Sequence, residues 1–394
     1  MKAVGIILAG GSSNKMRELT RKRAAAAMPI AGSYRAIDFA LSNMTNSHIS
    51  KVAVLSQYNA KSLNAHLNSS KWWDFGRKHG GLYVFTPAIT SENNFWYRGT
   101  ADAIYQNLDF LKDCHEPYVV ITSGDAVYKL DYEKVLEYHI EKKADITVVC
   151  TELRAGEDAR RFGTVKLDYD MRILDFEEKP MFAKSNIVSA GIYVIRRRLL
   201  IDLVEQCVED ERYDFVRDIL VRYRTLKKIY AYKTEDYWSN ITTVDAYYRT
   251  NMDFLKPEVR KHFFKEEPAI FSKVGDLPPA KYNPGASVKN SLIASGSIVN
   301  GTVENSVLSN GVVVERGAVV KDSVIMSGAK ICAGAKVEYA IIDSDTVVGA
   351  GCQLGEAKET QKLLVLGGGM NIPAGTTLGG GDVIDAKNLK DYIG

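Results

Sequence analysis

Residues 4–23 read VGIILAGGSSNKMRELTRKR, and the fold turns on how this stretch is parsed. It opens as an apolar run over residues 4–8, the pattern of a buried strand. Ala9-Gly10-Gly11 then turns the chain, and Lys15, Arg17, Arg21, Lys22 and Arg23 follow in a polar, basic segment. A strand that feeds a glycine turn is where an α/β fold binds phosphate. Glycine lets the backbone approach the anion and leaves N–H groups pointing at it. Gly-Gly after a strand is also an ordinary turn, so both readings stand on this stretch alone.

Working outward, the first two-thirds of the chain alternate strand-like and helix-like segments. Residues 51–56 (KVAVLS), 118–122 (YVVIT) and 146–151 (ITVVCT) read as strands, and residues 59–67 and 135–143 as helices. This alternation predicts an α/β domain with a mostly parallel sheet covered on both faces. Ligands bind at the carboxyl ends of such strands, where both the Gly10-Gly11 turn and Asp125 of Ser123-Gly124-Asp125 fall. Further on, residues 173–176 (ILDF) lead to Glu177-Glu178-Lys179-Pro180, and residues 186–195 (NIVSAGIYVI) read as a strand pair or one bent strand. Residues 198–223 have helical spacing, 229–232 read as a strand, and a helix over 246–255 stops before Pro257.

Residues 256–284 change character. Pro257, Pro268, Pro278, Pro279 and Pro284 punctuate a segment with no sustained period, which predicts a connection, partly packed as an extended strand. From Ala286 the chain is quasi-repetitive. Val288, Leu292 or Ile293, Ile298, Val303, Val307, Val313, Val319, Val324, Ile331, Val337, Ile341 and Val347 recur mostly every six residues, each followed by small or turn residues. That period predicts a parallel β-helix of hexapeptide turns, with these aliphatics stacked inside; the alternative is a small antiparallel β-domain. The expected divisions are 1–255, a connector 256–284, and a β-helix 285–394.

The bulk numbers narrow the function. A net charge of +3 in 394 residues does not point to nucleic acid, and the locally clustered basic residues favour a small anionic ligand. The five cysteines, Cys114, Cys150, Cys207, Cys332 and Cys352, are scattered without a CxxC pair, which fits reduced thiols in a cytoplasm. Residues 1–11 are too short an apolar run for a signal peptide, and no run of about 18 apolar residues predicts a membrane span.

Four longer motifs carry a resemblance: Tyr34-Arg35-Ala36-Ile37-Asp38-Phe39-Ala40-Leu41-Ser42-Asn43, Trp96-Tyr97-Arg98-Gly99-Thr100-Ala101-Asp102-Ala103, Ser123-Gly124-Asp125 and Glu178-Lys179-Pro180. Together, and in this order, they resemble the glucose-1-phosphate adenylyltransferase (ADP-glucose pyrophosphorylase) family over essentially the whole chain. The resemblance implies a Rossmann-like nucleotidyltransferase domain followed by a left-handed β-helix, assembled as a tetramer. The implied reaction joins ATP and glucose 1-phosphate to give ADP-glucose and pyrophosphate, for glycogen synthesis. It also implies nucleotide contacts at Ala9, Gly10, Gly11, Gly99 and Thr100, and sugar-phosphate contacts at Tyr97, Gly163, Glu178, Lys179 and Ser189. Asp125 matches a carboxylate that holds Mg²⁺, Asn240 stands where the second such carboxylate belongs, and Gln57 and Trp96 match loops that relay effector binding. Without the resemblance, Asp125 could equally cap a turn, Glu178–Lys179 could be a surface ion pair, and Trp96 could serve packing.

The departures from the family pattern are specific. Active members carry GGxGTRL, and here the run is Gly10-Gly11-Ser12-Ser13-Asn14-Lys15-Met16. Lys15 keeps a charge but loses the planar fork that suits phosphate, and Ser13 restricts a turn that glycine would free. Active members carry Arg-Ala-Lys-Pro-Ala; here Arg23-Ala24-Ala25-Ala26-Ala27 puts Ala25 where the lysine belongs. The motif Trp-x-Asp-Val-Gly-Thr is Trp238-Ser239-Asn240-Ile241-Thr242-Thr243. The sugar-phosphate positions are kept. This combination resembles the regulatory, D-type subunit of two-subunit bacterial enzymes, which would work in a mixed tetramer with a catalytic subunit. Lys15, Arg17, Arg21, Lys22, Arg23 and Arg35 would then serve an anionic effector or form a solvated basic face. Three other readings compete: an active glucose-1-phosphate adenylyltransferase, another sugar-1-phosphate nucleotidyltransferase, and an acyltransferase acting from the β-helix. The last lacks a histidine base, since all six histidines precede the repeats.

Overall fold

The computed structural model describes residues 2–11, 14–76, 80–89, 94–154 and 156–392. They form two compact units that do not follow the chain linearly. Residues 2–11, 39–60 and 67–238 make the first; residues 14–38, 61–66 and 239–392 make the second. The basic segment after the glycine turn therefore folds with the carboxyl-terminal repeats, a grouping the linear expectation of a 1–255 domain does not contain.

The first unit is built on a nine-stranded mixed sheet. Its parallel part runs Tyr118–Ser123, Ala3–Leu8, Lys51–Leu55, Gly81–Phe85, in that spatial order. The Ala3–Leu8 strand is buried along nearly all its length, as expected of an apolar strand with a neighbour on each side. Beyond Tyr118–Ser123 the sheet becomes antiparallel around Ile187–Arg196, which pairs with Tyr118–Ser123, Ile146–Glu152 and Gly163–Leu167. Ile173–Glu178 extends this side, and Ile229–Thr234 pairs parallel to Ile146–Glu152. Residues 186–195 are thus one bent strand. The bend is a register shift between Ser189 and Ile192, where Gly191 takes φ +74 and the strand leaves one set of partners for another. The Gly81–Phe85 strand was not anticipated, because its mix of half-buried positions gives no clean period. The expected helix over 198–223 is an α-helix, Arg197–Glu209, followed after a break by a π-turn at Val216–Val221.

In the second unit, three six-stranded parallel sheets close a coil of repeats, as in a left-handed β-helix. Columns of like residues stack inside it: Val299, Val314, Ile331, Val348 and Ile372 form one, and Leu308, Ile325, Ile342, Leu366 and Ile384 another. The expected inward set is off by one residue at several turns. Ile298, Val313, Val319 and Val347 stand beside the true core residues Val299, Val314, Val320 and Val348 and face the other side, since successive strand residues alternate faces. Val307, Val324 and Ile341 are buried although they also face away from the coil interior. The helix Val244–Asp253 covers that side: Tyr248 Oη donates to the Asp322 carbonyl at 2.6 Å and packs edge-on to Tyr339. Within 256–284 lie a helix, Pro257–Phe264, with Pro257 at its first turn, and the first coil strand, Lys281–Tyr282. The connector is therefore shorter and more ordered than its proline content suggests.

Candidate active site

In the first unit the candidate residues gather on one rim, at the carboxyl ends of the parallel strands. Ala9 N donates to the Leu55 carbonyl at 2.8 Å, and Gly124 N donates to the Leu8 carbonyl at 3.0 Å. These two bonds draw the turns Ala9-Gly10-Gly11 and Ser123-Gly124-Asp125 together. Gly10 lies against Gln57, where a Cβ would meet the Gln57 backbone nitrogen at 3.5 Å, whereas a Cβ on Gly11 would meet nothing within 4 Å among the described residues. Ser12 and Ser13 lie outside the described residues. The Asp125 carboxylate accepts from the Ser123 hydroxyl. Burial pushes its carboxyl above the usual range, and the Ser123 bond and the charges of Lys179 and Arg161 oppose that shift.

The sugar-phosphate candidates meet along the antiparallel edge. Glu178 pairs with Gly163 across the ladder. Gly163 has no room for a side chain, since a Cβ would lie 2.5 Å from the Phe176 ring and 2.9 Å from the Glu178 carboxylate. Glu178 and Lys179 form an ion pair at 3.3 Å. Burial raises the Glu178 carboxyl above its usual range, and Lys179 is the main opposing influence. Lys179 itself adopts φ +48, uncommon for a residue with a Cβ, and its N–H donates to the Phe162 carbonyl at 3.1 Å. Ser189 is buried; its hydroxyl donates to Tyr193 Oη at 3.3 Å and accepts from Gly191 N at 3.2 Å.

Tyr97 is held by a two-way clamp. Its N–H donates to Gln57 Oε1 at 2.6 Å, and Gln57 Nε2 donates to the Tyr97 carbonyl at 3.2 Å. Asn107 Nδ2 donates to the Tyr97 hydroxyl at 3.0 Å. Trp96 beside it is 67% exposed. Gly99 and Thr100 have local partners. A Cβ on Gly99 would fall 2.3 Å from the Tyr213 carbonyl, and Thr100 Oγ1 accepts from Phe215 N at 2.8 Å. Both residues thus join the start of the Thr100–Tyr105 helix to the segment before Val216.

The altered positions belong to the second unit. Lys15 is exposed in the short helical segment Asn14–Thr20. Ala25 is buried within Ala25–Ala27, a 3-10 turn. Asn240 Oδ1 accepts from Thr242 N at 3.2 Å and from the Thr242 hydroxyl, a turn cap that occupies the oxygen a cation would need. Among the described residues, no group of three or more His, Cys, Asp or Glu could hold a metal ion. Asp125 offers a carboxylate, whereas the amide of Asn240 carries no negative charge.

The expected basic patch is only partly free. Arg23 pairs with Asp343 at 2.7 Å, Arg21 with Glu18 at 3.0 Å and with Asp385, and Arg35 Nη1 donates to the Ala27 carbonyl at 3.3 Å. Burial lowers the Arg35 guanidinium below its usual range. Sequence reasoning also missed the residues that tune the rim: Arg161, Ser123 as a hydroxyl donor, Tyr193 and Asn107. Arg161 was findable, two positions before Gly163. The hydrogen-bond partners of Ser189 and Tyr97 were not, because they depend on the bend in Ile187–Arg196 and on helix packing. Separately, a cavity of about 350 Å³ opens beside Glu152, Lys233, Tyr237 and Trp238; its Lys233 is paired with Glu152 at 3.1 Å.

A strand–glycine turn, an acid at the next strand end and a carboxylate–lysine pair beside the same sheet fit a nucleotidyltransferase, and comparison with known proteins shows that class. The nucleotidyl transferase family model matches residues 4–257, and a GlmU-like C-terminal hexapeptide model matches residues 278–366. Glucose-1-phosphate adenylyltransferases from Thermosipho melanesiensis and Geobacillus stearothermophilus are each 40% identical over 81% of this chain, covering 77% and 83% of their own lengths. The enzyme of that name from Desulfitobacterium hafniense is 34% identical over 97% of both chains. The chain belongs to the glucose-1-phosphate adenylyltransferase family.

Proposed function

We propose that this chain is a regulatory, catalytically impaired subunit of glucose-1-phosphate adenylyltransferase, acting beside a catalytic subunit that joins ATP and glucose 1-phosphate. The observation that carries the reading is Ala25: a buried methyl stands where an ammonium would meet the phosphates. Losing one preorganised donor to developing charge costs about 10²–10³ in rate. Asn240 adds to the deficit, because its oxygen is spent on Thr242 and it brings no negative charge to a dication. Exposed Lys15 retains charge without the bidentate fork.

In the sugar-phosphate half, Glu178 and Lys179 would bind the sugar and its phosphate, with Ser189 and Tyr97 lining the pocket. When bound, Mg²⁺ would neutralise charge on the leaving pyrophosphate; here it would rest on Asp125 and the substrate phosphates. Such a subunit would act by changing its partner's affinity or effector response through subunit contacts. The test is co-expression with the catalytic subunit of the same organism, followed by sizing and kinetics against each subunit alone. A mixed assembly with altered kinetics is the expected result. Separate elution with unchanged kinetics overturns the reading.

A further inference from the structure

Within the second unit, the residues that follow the strands of one coil sheet stack into a corner column: Ala294, Ser309, Met326, Asp343, Gly367 and Asp385. Each of the first five donates its N–H to the strand residue just before the next member of the column. The segment after the glycine turn runs along this column. A Cβ on Gly32 would lie 3.3 Å from Ala294 Cβ and 3.1 Å from the Leu308 carbonyl. Arg23 reaches Met326 Sδ at 3.0 Å, Asp343 at 2.7 Å and Ser344 Oγ at 3.2 Å. Gly367 faces Glu18, and Arg21 pairs with Asp385.

Closing the coil does not require an acid at this corner. Alanine, serine, methionine and glycine fill the equivalent places on other turns; the Asp343 carboxylate meets Arg23 and accepts from Ser344 N, and the Asp385 carboxylate meets Arg21 and accepts from the N–H groups of Lys387 and Asn388. We infer that this corner is a rail that sets the position of residues 14–27, and that Asp343 and Asp385 are positioning residues for the segment bearing Lys15 and Ala25. The inference rests on the reading of that segment as the nucleotide side of the site. It supplies a route for regulation: a partner that bears on the coil acts on the segment through two ion pairs.

Hydrogen exchange of the full chain tests this. Asp343→Asn should speed exchange in peptides covering residues 14–27 about tenfold, leaving coil peptides such as 345–356 unchanged. Asp385→Asn, at the more exposed pair, keeps one oxygen for the Lys387 and Asn388 N–H groups and should give a smaller effect of the same kind. The swap Arg23→Asp with Asp343→Arg should restore protection, which a merely structural carboxylate would not allow. In the mixed assembly, Asp343→Asn should leave the assembled size intact and remove the kinetic effect on the catalytic subunit. Unchanged exchange in 14–27, simultaneous opening of the coil, or failure of the swap overturns the inference. If no mixed assembly forms, the functional proposal fails while the exchange experiment still decides this one.

Discussion

At the scale of single residues, two positions carry testable consequences. Gly163 sits where any side chain would strike Phe176 and Glu178. Gly163→Ala should destabilise the first unit by about 1–3 kcal/mol, the usual cost of overpacking, and weaken glucose 1-phosphate binding measured by calorimetry. Asp125 has its carboxyl raised by burial. A folded value above the unfolded one means that this group's contribution to stability is fullest below about pH 4 and is lost as pH rises through the folded value. Asp125→Asn keeps an oxygen for Ser123. It should therefore melt above the parent at pH 7 and level with it near pH 3.5; equal melting at pH 7 would contradict burial as the cause. The identities of Ala25 and Asn240 were legible in the sequence as departures from a family pattern. What surrounds them was not: that Asn240 spends its oxygen on Thr242, and that Arg23 and Arg35 turn inward, depend on partners far along the chain or on local geometry.

At the scale of elements, the clamp between Gln57 and Tyr97 joins the end of the Lys51–Leu55 strand to the loop before Thr100–Tyr105. Gln57→Ala removes both bonds at once. Affinity for glucose 1-phosphate should fall about tenfold, and unfolding stability by about 1–3 kcal/mol, since two exchanged hydrogen bonds are each worth roughly 0.5–1.5 kcal/mol. In the coil, Ile342 is fully buried in the middle of its column, and Ile342→Ala should cost about 2–5 kcal/mol in denaturant unfolding. Apart from Gly81–Phe85, the parallel strands were readable because an apolar run of five or six residues ending in a turn leaves few alternatives. The coil was readable from its six-residue period. Its inward register was not, because pairs such as Ile298-Val299 and Val313-Val314 offer two β-branched residues for one inward place. Pro257 at a helix start was mistaken for punctuation, a use of proline that looks the same in sequence as a break.

At the scale of the whole molecule, the division into units matters more than the linear order of domains. The glycine turn belongs to the sheet unit, while residues 14–38 belong to the unit that contains the repeats. A sequence read from left to right assigns both to one domain. Contacts more than three hundred residues apart, such as Arg23 with Asp343, carry no local signal. Among the described residues the five cysteines are free thiols, and no helix is long and apolar enough to cross a membrane. Under the proposed function, substitutions at the phosphate and metal positions disable chemistry while the sugar-phosphate positions stay in place. This is tested most directly by steady-state ADP-glucose formation with the purified chain alone, ATP, glucose 1-phosphate and Mg²⁺, beside the variant Ala25→Lys with Asn240→Asp. Parental turnover should lie at least about 10³ below the ordinary enzyme value of roughly 10 per second, and should rise by about 10² or more in the variant. Parental turnover near 10 per second, unchanged by the two substitutions, would contradict it.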